Sequence, residues 1–186
     1  METLVIGTYN LSVGAVKRRP DKIKRDLKRL MKLCHVLCLQ EAGEAEHIIA
    51  WAKNNLPVRV YDGGGGNGRD ATPIMYRKNL KKVKKHTFDL TPATHVGPDG
   101  AGPSTLKAKY LHVVGFKFNG RRVWVGNIHT APSIYIPKRY RLAKKQFERT
   151  RLRLLSLRSC KFVAGDMNSQ PKDRIRKYLY GDRYVL

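Results

Sequence analysis

A carboxylate and an amide stand two residues apart near the end of the chain, at Asp166 and Asn168. They follow residues 162–164, an apolar stretch that predicts a short buried strand leading into a tight turn at Gly165. Side chains two apart on an extended chain point to the same side, so both groups would face one point in space. A carboxylate can hold a cation or accept a proton, and an amide can bind a phosphate oxygen. Taken alone, the pair also fits an ordinary turn, because Asp and Asn are common turn residues.

Three further polar side chains stand at the ends of predicted strands: Asn10, Glu41 and His129. Each has a structural alternative, namely a turn cap for Asn10, a surface acid at a helix start for Glu41 and a packed ring for His129. Together with Asp166 and Asn168 they form the equipment for metal-assisted phosphodiester hydrolysis. Mg²⁺ binds carboxylate oxygens while keeping several waters, and it neutralises the phosphate and the leaving oxygen. A histidine can donate to the charge that develops on the phosphate.

The periodicity of the apolar residues predicts the elements that position these groups. Strands are expected at residues 3–9, 36–39, 58–61, 72–76, 83–90, 106–118, 121–129 and 162–164, and helices at 20–34, 45–53, 137–158 and 172–179. Residues 17–19 are expected to form a basic loop. The strands at 72–76 and 83–90 are expected to pair with each other through residues 78–80. Asn119-Gly120 is a strong hairpin signal between the sixth and seventh strands.

The charge of the chain points to a polyanionic partner. Among 186 residues there are 38 Lys and Arg against 14 Asp and Glu, a formal charge of +24. Such a field attracts nucleic acid first and anionic membrane surfaces second. The length is typical of one domain, and no run of apolar residues is long enough to span a membrane.

Two segments concentrate this charge. Residues 138–158 contain nine Lys or Arg and one acid, Glu148, on a predicted helix whose basic face would follow a phosphate backbone. The cluster of Lys81, Lys82, Lys84 and Lys85 is a second phosphate-facing candidate, with a solvated loop as the alternative. The Gly-rich segment 62–70 lacks the Gly-Lys-Ser/Thr ending of a P-loop and is expected to be a mobile surface loop.

The three cysteines, Cys34, Cys38 and Cys160, are odd in number and form no Cys-x-x-Cys pair. This favours reduced thiols in a cytoplasmic or nucleoid-associated compartment. The N-terminus has neither the basic nor the long apolar region of a signal peptide.

Four short motifs resemble, in order and with similar spacing, the signature of the endonuclease/exonuclease/phosphatase superfamily, which includes pancreatic deoxyribonuclease and the abasic-site endonucleases. The motifs are Thr8-Tyr9-Asn10, Leu39-Gln40-Glu41, Asn127-Ile128-His129 and Gly165-Asp166-Met167-Asn168. The resemblance extends from about residue 3 to residue 171. It implies one domain over residues 1–186 with a four-layered α/β sandwich, in which helices flank two mainly antiparallel sheets. It also implies a phosphoesterase that depends on Mg²⁺ or Mn²⁺.

The resemblance also implies roles for the residues that match. Glu41 would be the principal metal ligand, and Asn10 would support the metal directly or through water. His129 would contact the scissile phosphate, and Asp166 would orient or activate the nucleophile or assist the leaving group. Asn168 would hold a phosphate oxygen.

Basic residues near these motifs are the expected contacts of the nucleic acid. The family often has an Arg or Tyr in the strand before the His-bearing strand. In this sequence Lys107 and Lys109 are the nearest basic candidates for that role, and Tyr76 is a weaker candidate. The predicted basic helix adds its own contacts at Arg139, Arg141, Lys144, Lys145 and Arg149.

The chain departs from the family in one respect. Family members carry a later Ser/Asp-Asp-His segment whose histidine acts near the attacking water, and this sequence has no histidine after His129. We therefore expect a shortened second sheet. The chain would be a naturally short variant with another base, a truncated or split gene product, or a nucleic-acid-binding relic. Loss of a general base typically lowers the rate roughly 10²–10⁴-fold, so weakened cleavage is compatible with this difference.

The sequence thus predicts a divalent-metal-dependent nuclease, with DNA favoured over RNA as the substrate. The alternatives are a non-catalytic nucleic-acid-binding module and a phosphatase of the same superfamily. The high positive charge disfavours the phosphatase, because a small phosphate substrate does not need it.

Overall fold

Two four-stranded sheets pack face to face, and helices cover their outer faces. The structure is a computed structural model that describes residues 2–63, 72–90, 109–130 and 137–168. The strands are β1 Ile6–Asn10, β2 Val36–Gln40, β3 Val58–Tyr61, β4 Ile74–Arg77, β5 Lys81–Asp89, β6 Tyr110–Phe118, β7 Arg121–His129 and β8 Cys160–Asp166. The helices are α1 Val13–Arg18, α2 Pro20–Leu33, α3 Glu46–Asn55 and α4 Pro137–Leu155, and a 3₁₀ turn spans Ala42–Glu44.

Both sheets are mixed. The first has the order β1-β2-β4-β3, with β1 and β2 parallel and the other pairs antiparallel. The second has the order β5-β6-β7-β8, with β7 and β8 parallel and the other pairs antiparallel. The predicted class, an α/β sandwich of two mainly antiparallel sheets with flanking helices, is confirmed. The predicted helix at 172–179 and the extent of the second sheet beyond β8 lie outside the described residues.

Three apolar clusters define the layers. Leu37, Leu39 and Met75 face α1, α2 and α3, and Val113, Trp124 and Ile128 face α4. Between the sheets, a third cluster joins residues of both: Val36, Cys38, Ile74, Tyr76, Val114, Phe116 and Val125. The order is therefore helix, sheet, sheet, helix. None of the described helices combines the length and the apolar composition that crossing a bilayer requires.

The predicted hairpin between the sixth and seventh strands is confirmed. Asn119 and Gly120 both have positive φ, at 46° and 76°, as a two-residue hairpin loop of type I′ requires. Cys34 and Cys38 are buried free thiols, as expected. Burial raises the pKa of both.

Two local predictions are wrong. The strands at 72–76 and 83–90 do not pair with each other, because β4 lies between β2 and β3 while β5 pairs with β6 in the other sheet. Residues 74–76 are all buried, which suits an inner strand, whereas residues 81–85 are exposed on a sheet edge. The predicted basic loop at 17–19 is largely the end of α1, which forms because Val16 is buried in the core under α2.

A buried amide pair joins the two sheets. Gln40 Nε2 on β2 donates to Asn127 Oδ1 on β7 at 2.8 Å, and both side chains are fully buried. Asn127 Nδ2 lies 2.7 Å from the carbonyl oxygen of Leu39 and 3.0 Å from those of Thr72 and Pro73. An amide nitrogen has two hydrogens, so at least one of them is shared between carbonyls. Gln40 Oε1 in turn accepts from Thr8 Oγ1 of β1 at 3.1 Å.

His112 extends this network on β6. It stands opposite Asn127 in the ladder, and its Nδ1 lies 2.8 Å from the carbonyl oxygen of Thr72. The ring is fully buried, and burial lowers the pKa of His112 below its ordinary value. The neutral ring therefore donates from Nδ1 and keeps Nε2 as an acceptor, which faces the backbone of Gly63.

We expect Asn127→Ala to lower the free energy of unfolding by about 2–4 kcal/mol, because it leaves three carbonyl oxygens and the Gln40 amide without their donor or acceptor. Urea denaturation measures the loss. The matched control is Asn55→Ala, since Asn55 makes one exposed hydrogen bond to the Trp51 carbonyl. It should change stability by less than about 0.5 kcal/mol. Equal effects of the two substitutions would contradict the role given to the amide pair.

We also expect His112 to make stability depend on pH. Its folded pKa lies below its ordinary value of 6.5, so the unfolded chain takes up a proton more readily than the folded chain. The free energy of unfolding therefore falls as the pH decreases from about 7 through 6.5 toward 5. His112→Gln, which keeps a hydrogen-bond donor, should reduce this slope in denaturation series at several pH values. An unchanged slope would show that His112 does not cause it.

Candidate active site

The carboxyl ends of four strands meet at one edge of the sandwich. β1 runs parallel to β2 and β7 runs parallel to β8, so each pair presents its last residues at the same end. There Asn10 Nδ2 lies 3.0 Å from Glu41 Oε1 and 3.1 Å from Asp166 Oδ2. One amide group thus joins the two carboxylates, which belong to different sheets.

The orientation of the Asn10 amide is set by its own turn. The backbone N–H of Ser12 donates to Asn10 Oδ1 at 2.9 Å, which turns the amide oxygen away from the carboxylates and the NH₂ group toward them. A nitrogen that donates two hydrogen bonds cannot also ligate a cation. In this arrangement Asn10 orients the carboxylates, which favours the indirect form of its predicted supporting role.

Glu41 has a left-handed backbone, with φ 54° and ψ 32°. This conformation is uncommon outside glycine and asparagine, and it persists where the surroundings impose it. Here the preceding residue, Gln40, is held at two points. Its side chain bonds to Asn127, and its carbonyl oxygen accepts from the Leu11 N–H at 3.0 Å. The chain therefore turns sharply at Glu41, and its carboxylate reaches β1.

His129 and Asp166 are direct neighbours on β7 and β8. His129 Nε2 lies 3.9 Å from Asp166 Oδ2, which is too long for a hydrogen bond but close enough for both to contact one small group. Hydrogen bonds of Thr130 hold the ends of β7 and β8 together just after these two residues. Thr130 N–H donates to the Asp166 carbonyl at 3.0 Å, and Thr130 Oγ1 donates to the Met167 carbonyl at 2.7 Å.

The predicted extended Asp-x-Asn arrangement is wrong. β8 continues through Gly165 to Asp166, and the turn comes at Asn168, whose φ is 46°. The Asn168 N–H donates to Asp166 Oδ1 at 2.8 Å, and Asn168 Nδ2 donates to the Thr130 carbonyl at 2.9 Å. The local Asx-type bond replaces the extended geometry. Asn168 therefore fixes Asp166 and the end of β7, and its contact with a phosphate oxygen stays a prediction.

The donor set fits a hard divalent cation with few protein ligands. Glu41 and Asp166 offer carboxylate oxygens that converge on one amide, in a cleft edge where both side chains are partly exposed. Mg²⁺ typically takes one or two carboxylates and keeps the rest of its shell as water and substrate oxygens. The described residues contain no cluster of three or more His, Cys, Asp and Glu that could bind a metal. The two carboxylates thus fit a Mg²⁺ or Mn²⁺ site that water and substrate oxygens would complete.

The basic residues predicted to contact nucleic acid differ in their exposure to solvent. Arg141 and Lys145 are exposed on α4, Lys144 lies 3.9 Å from Glu148, and Arg149 is half-buried. Lys109 is buried just before β6. Lys107 and the side chain of Arg139 lie outside the described residues.

Tyr76, the weaker candidate, is not near this edge. It is buried between the sheets with its ring 5.1 Å from that of Phe116, and burial raises its pKa.

Sequence reasoning missed the supports of the site. In the sequence, Gln40 and Asn127 stand out only as parts of motifs, although Gln40 directly precedes Glu41 and Asn127 lies two residues before His129. The available signal was their polarity within otherwise apolar strands, where an amide needs a partner from another strand. Thr130, directly after His129, is the third such support.

Comparisons with known proteins agree with this fold. The sequence model of the Endonuclease/Exonuclease/phosphatase family matches residues 7–186. No curated protein matches the sequence. A crystal structure of D. rerio TDP2 with a single-stranded DNA product is similar over 96% of this chain and 65% of its own, with 18% identity and a TM-score of 0.72.

Two other solved structures are similar in the same way. A Bacteroides thetaiotaomicron mannosyl-6-phosphatase has 16% identity and a TM-score of 0.70, over 95% of this chain and 70% of its own. The human Nocturnin catalytic domain with bound sulfate has 16% identity and a TM-score of 0.69, over 96% of this chain and 70% of its own. The chain thus spans about two thirds of the length of these proteins, and at these identities the likeness concerns the fold.

We expect Gly165→Ala to disrupt the site. A Cβ at Gly165 would lie 1.9 Å from the Ile128 carbonyl oxygen, and the φ of 138° is strained for any side chain. The substitution should lower the free energy of unfolding by at least about 2 kcal/mol and displace Asp166. In the control Gly120→Ala, φ is also positive but nothing lies within 4 Å, so about 1 kcal/mol is expected. Denaturation curves for both variants test this, and equal losses would contradict it.

Proposed function

The chain belongs to the endonuclease/exonuclease/phosphatase family, and from this premise we propose that it is a divalent-metal-dependent phosphodiesterase that hydrolyses nucleic acid. The observation that carries the proposal is the convergence of Glu41 and Asp166 on the Asn10 amide, with His129 beside them. Two carboxylates and an imidazole at one cleft edge supply a cation site, a proton acceptor and a hydrogen-bond donor within a few ångströms of each other.

Each residue has a role that follows from its position. Glu41 would hold the cation, with Asp166 beside the water bound to it, and the cation would supply charge neutralisation at the phosphate and at the leaving oxygen. Asn10 keeps the two carboxylates at a fixed separation. His129 is buried beside Asp166, and its Nε2–H tautomer would donate to a phosphate oxygen.

Asp166 is the described residue best placed to act on water. Its Oδ1 accepts from the Asn168 backbone, so Oδ2 is the oxygen that faces Asn10 and His129. From there it would orient the attacking water or accept its proton. Thr130 and Asn168 are positioning residues in this scheme, since they bind backbone atoms at the ends of β7 and β8.

Nucleic acid is the substrate that the charge favours. A net charge of +24 on a protein of this size attracts polyanions strongly. Binding of a small phosphate ester does not require so high a charge. The similarity to a TDP2 structure that contains a single-stranded DNA product supports DNA as the first substrate to test. The exposed Arg141 and Lys145 on α4 would contact its phosphates.

A phosphatase is the second candidate. The similarity to a mannosyl-6-phosphatase favours it, because the same fold there acts on a phosphate monoester. Side-by-side assays with a labelled DNA and with a sugar phosphate distinguish the two candidates. A preference for the sugar phosphate would replace the nuclease proposal.

We expect Glu41→Gln and Asp166→Asn each to reduce nicking of supercoiled plasmid in Mg²⁺ by roughly 10²-fold or more, because each keeps the side-chain shape while removing a carboxylate. EDTA should abolish nicking by the wild-type protein. Thermal unfolding of each variant shows whether the fold is retained.

The matched control is Asp21→Asn, which removes an exposed carboxylate on α2. Its nicking rate should equal that of the wild type. Salt-sensitive DNA binding without nicking by the wild-type protein would instead support a non-catalytic binding module, and nicking that survives EDTA would contradict the metal dependence.

A further inference from the structure

Three cations stand side by side across the second sheet. Lys81 on β5 is opposite Lys117 on β6, and Lys117 is opposite Arg122 on β7. Residues directly opposite each other in antiparallel strands share one face, with Cβ atoms about 5 Å apart. All three side chains are exposed. We refer to Lys81, Lys117 and Arg122 as the basic row.

The basic row lies on the face that α4 covers. Trp124, two residues after Arg122, faces the same way, and its ring lies over Gly115, where a Cβ would come within 2.7 Å of it. The Arg122 guanidinium lies 5.9 Å from the centre of that ring. Trp124 Nε1 donates to the Arg158 carbonyl at 2.7 Å, which brings the segment after α4 to this end of the sheet.

The helix continues the positive surface toward the candidate active site. Arg141, Lys145, Arg149 and Arg153 follow one another at intervals of four residues on α4, so they form one ridge about 18 Å long. The Arg153 guanidinium lies 5.5 Å from the Phe88 ring on β5, so the ridge also contacts the edge strand of the sheet. The start of α4 follows β7, which ends at His129.

Placing like charges directly opposite each other destabilises a sheet. Within the described residues, none of Lys81, Lys117 and Arg122 forms an ion pair with an acidic side chain that would relieve this repulsion. The acid that the N-terminal segment brings to this end, Glu2, has its carboxylate 3.6 Å from His35. A polyanion is the partner that would offset the repulsion.

We propose that the basic row is a second nucleic-acid-binding surface, which anchors the substrate far from the site of cleavage while the ridge of α4 guides it between the two. Arg122 and His129 are seven residues apart on one strand, about 23 Å at the usual rise of an extended chain. This distance corresponds to about seven base pairs of duplex. That the polyanion is a nucleic acid rests on the proposed function.

The test compares two variants that each remove three exposed positive charges. Lys81→Gln/Lys117→Gln/Arg122→Gln removes the basic row, and Lys28→Gln/Arg29→Gln/Lys32→Gln removes three exposed cations of α2, on the other side of the sandwich. The probe is a fluorescein-labelled 24-base-pair DNA duplex in EDTA, and binding is followed by anisotropy from 50 to 200 mM salt. Each lost phosphate contact lowers the salt slope by about 0.9, so the row variant should lose about 2–3 in slope and the α2 variant less than about 1.

Two further measurements separate this proposal from the proposed function. Hydrolysis of bis(p-nitrophenyl) phosphate, which is too small to reach the row, should be the same for the row variant as for the wild type. The row variant should also melt no lower than the wild type, because it removes like-charge neighbours. If it fails to fold, the edge-strand variant Lys81→Gln/Lys84→Gln replaces it, with an expected slope loss of about 1–2.

Equal slope losses in the row and α2 variants would overturn the proposal, since general charge alone would then explain binding. An unchanged DNA slope in the row variant would also overturn it. In that case, loss of binding to phosphatidylserine vesicles by the row variant would assign the surface to a membrane. Because the anisotropy experiment needs no cleavage, it decides the proposal even if the protein proves to have no nuclease activity.

Discussion

The hydrogen bond between Gln40 and Asn127 is the contact on which the arrangement of the site depends. It crosses from one sheet to the other in a region without solvent, one residue before Glu41 and two before His129. Leaving a buried amide without hydrogen-bond partners costs more free energy than most single apolar contacts contribute. The two sheets are therefore held in the relative position in which both amides are hydrogen-bonded. That position brings the ends of β1, β2, β7 and β8 to the same edge. A shift in the register of either sheet would leave the two amides without hydrogen-bond partners, and it would also move the two carboxylates apart.

The second constraint is electrostatic. Two carboxylates from different sheets meet at Asn10 in a protein whose other charges are overwhelmingly positive. Asn10 stabilises their proximity because its NH₂ group can donate to both, and Ser12 holds the amide in the orientation that allows it. A lysine at this position would pair with the carboxylates and occupy the place of a cation. A neutral amide keeps them close without adding a competing positive charge, which suits the divalent ion of the proposed function.

The sequence predicted most of the elements, because apolar periodicity and the Asn119-Gly120 turn are local signals. It also placed Asn10, Glu41, His129 and Asp166 at strand ends, and the structure brings these four to one edge. It did not predict which strands pair across the chain: β4 and β5 are consecutive, yet their burial patterns assign them to different sheets. It missed the conformation of Asn168, where a hydrogen bond to Asp166 overrides the extended geometry. It gave no role to Gln40 and Asn127, because a partner 87 residues away is visible only in three dimensions.

The distribution of positive charge follows from the same architecture. α4 connects two parallel strands, so it must run back along the sheet from the site toward the opposite end, and its basic ridge follows most of that path. The apolar side of α4, with Ala143, Phe147 and Leu154, packs on Trp124 and Ile128, which leaves its basic side outward. Lys81, Lys117 and Arg122 then extend the surface where the helix ends, at the cost of like-charge repulsion in the ladder. A fold that needed charge only for solubility could distribute these cations among acids. Their alignment along one path from the cleft links the packing of the second sheet to the proposed path of the nucleic acid.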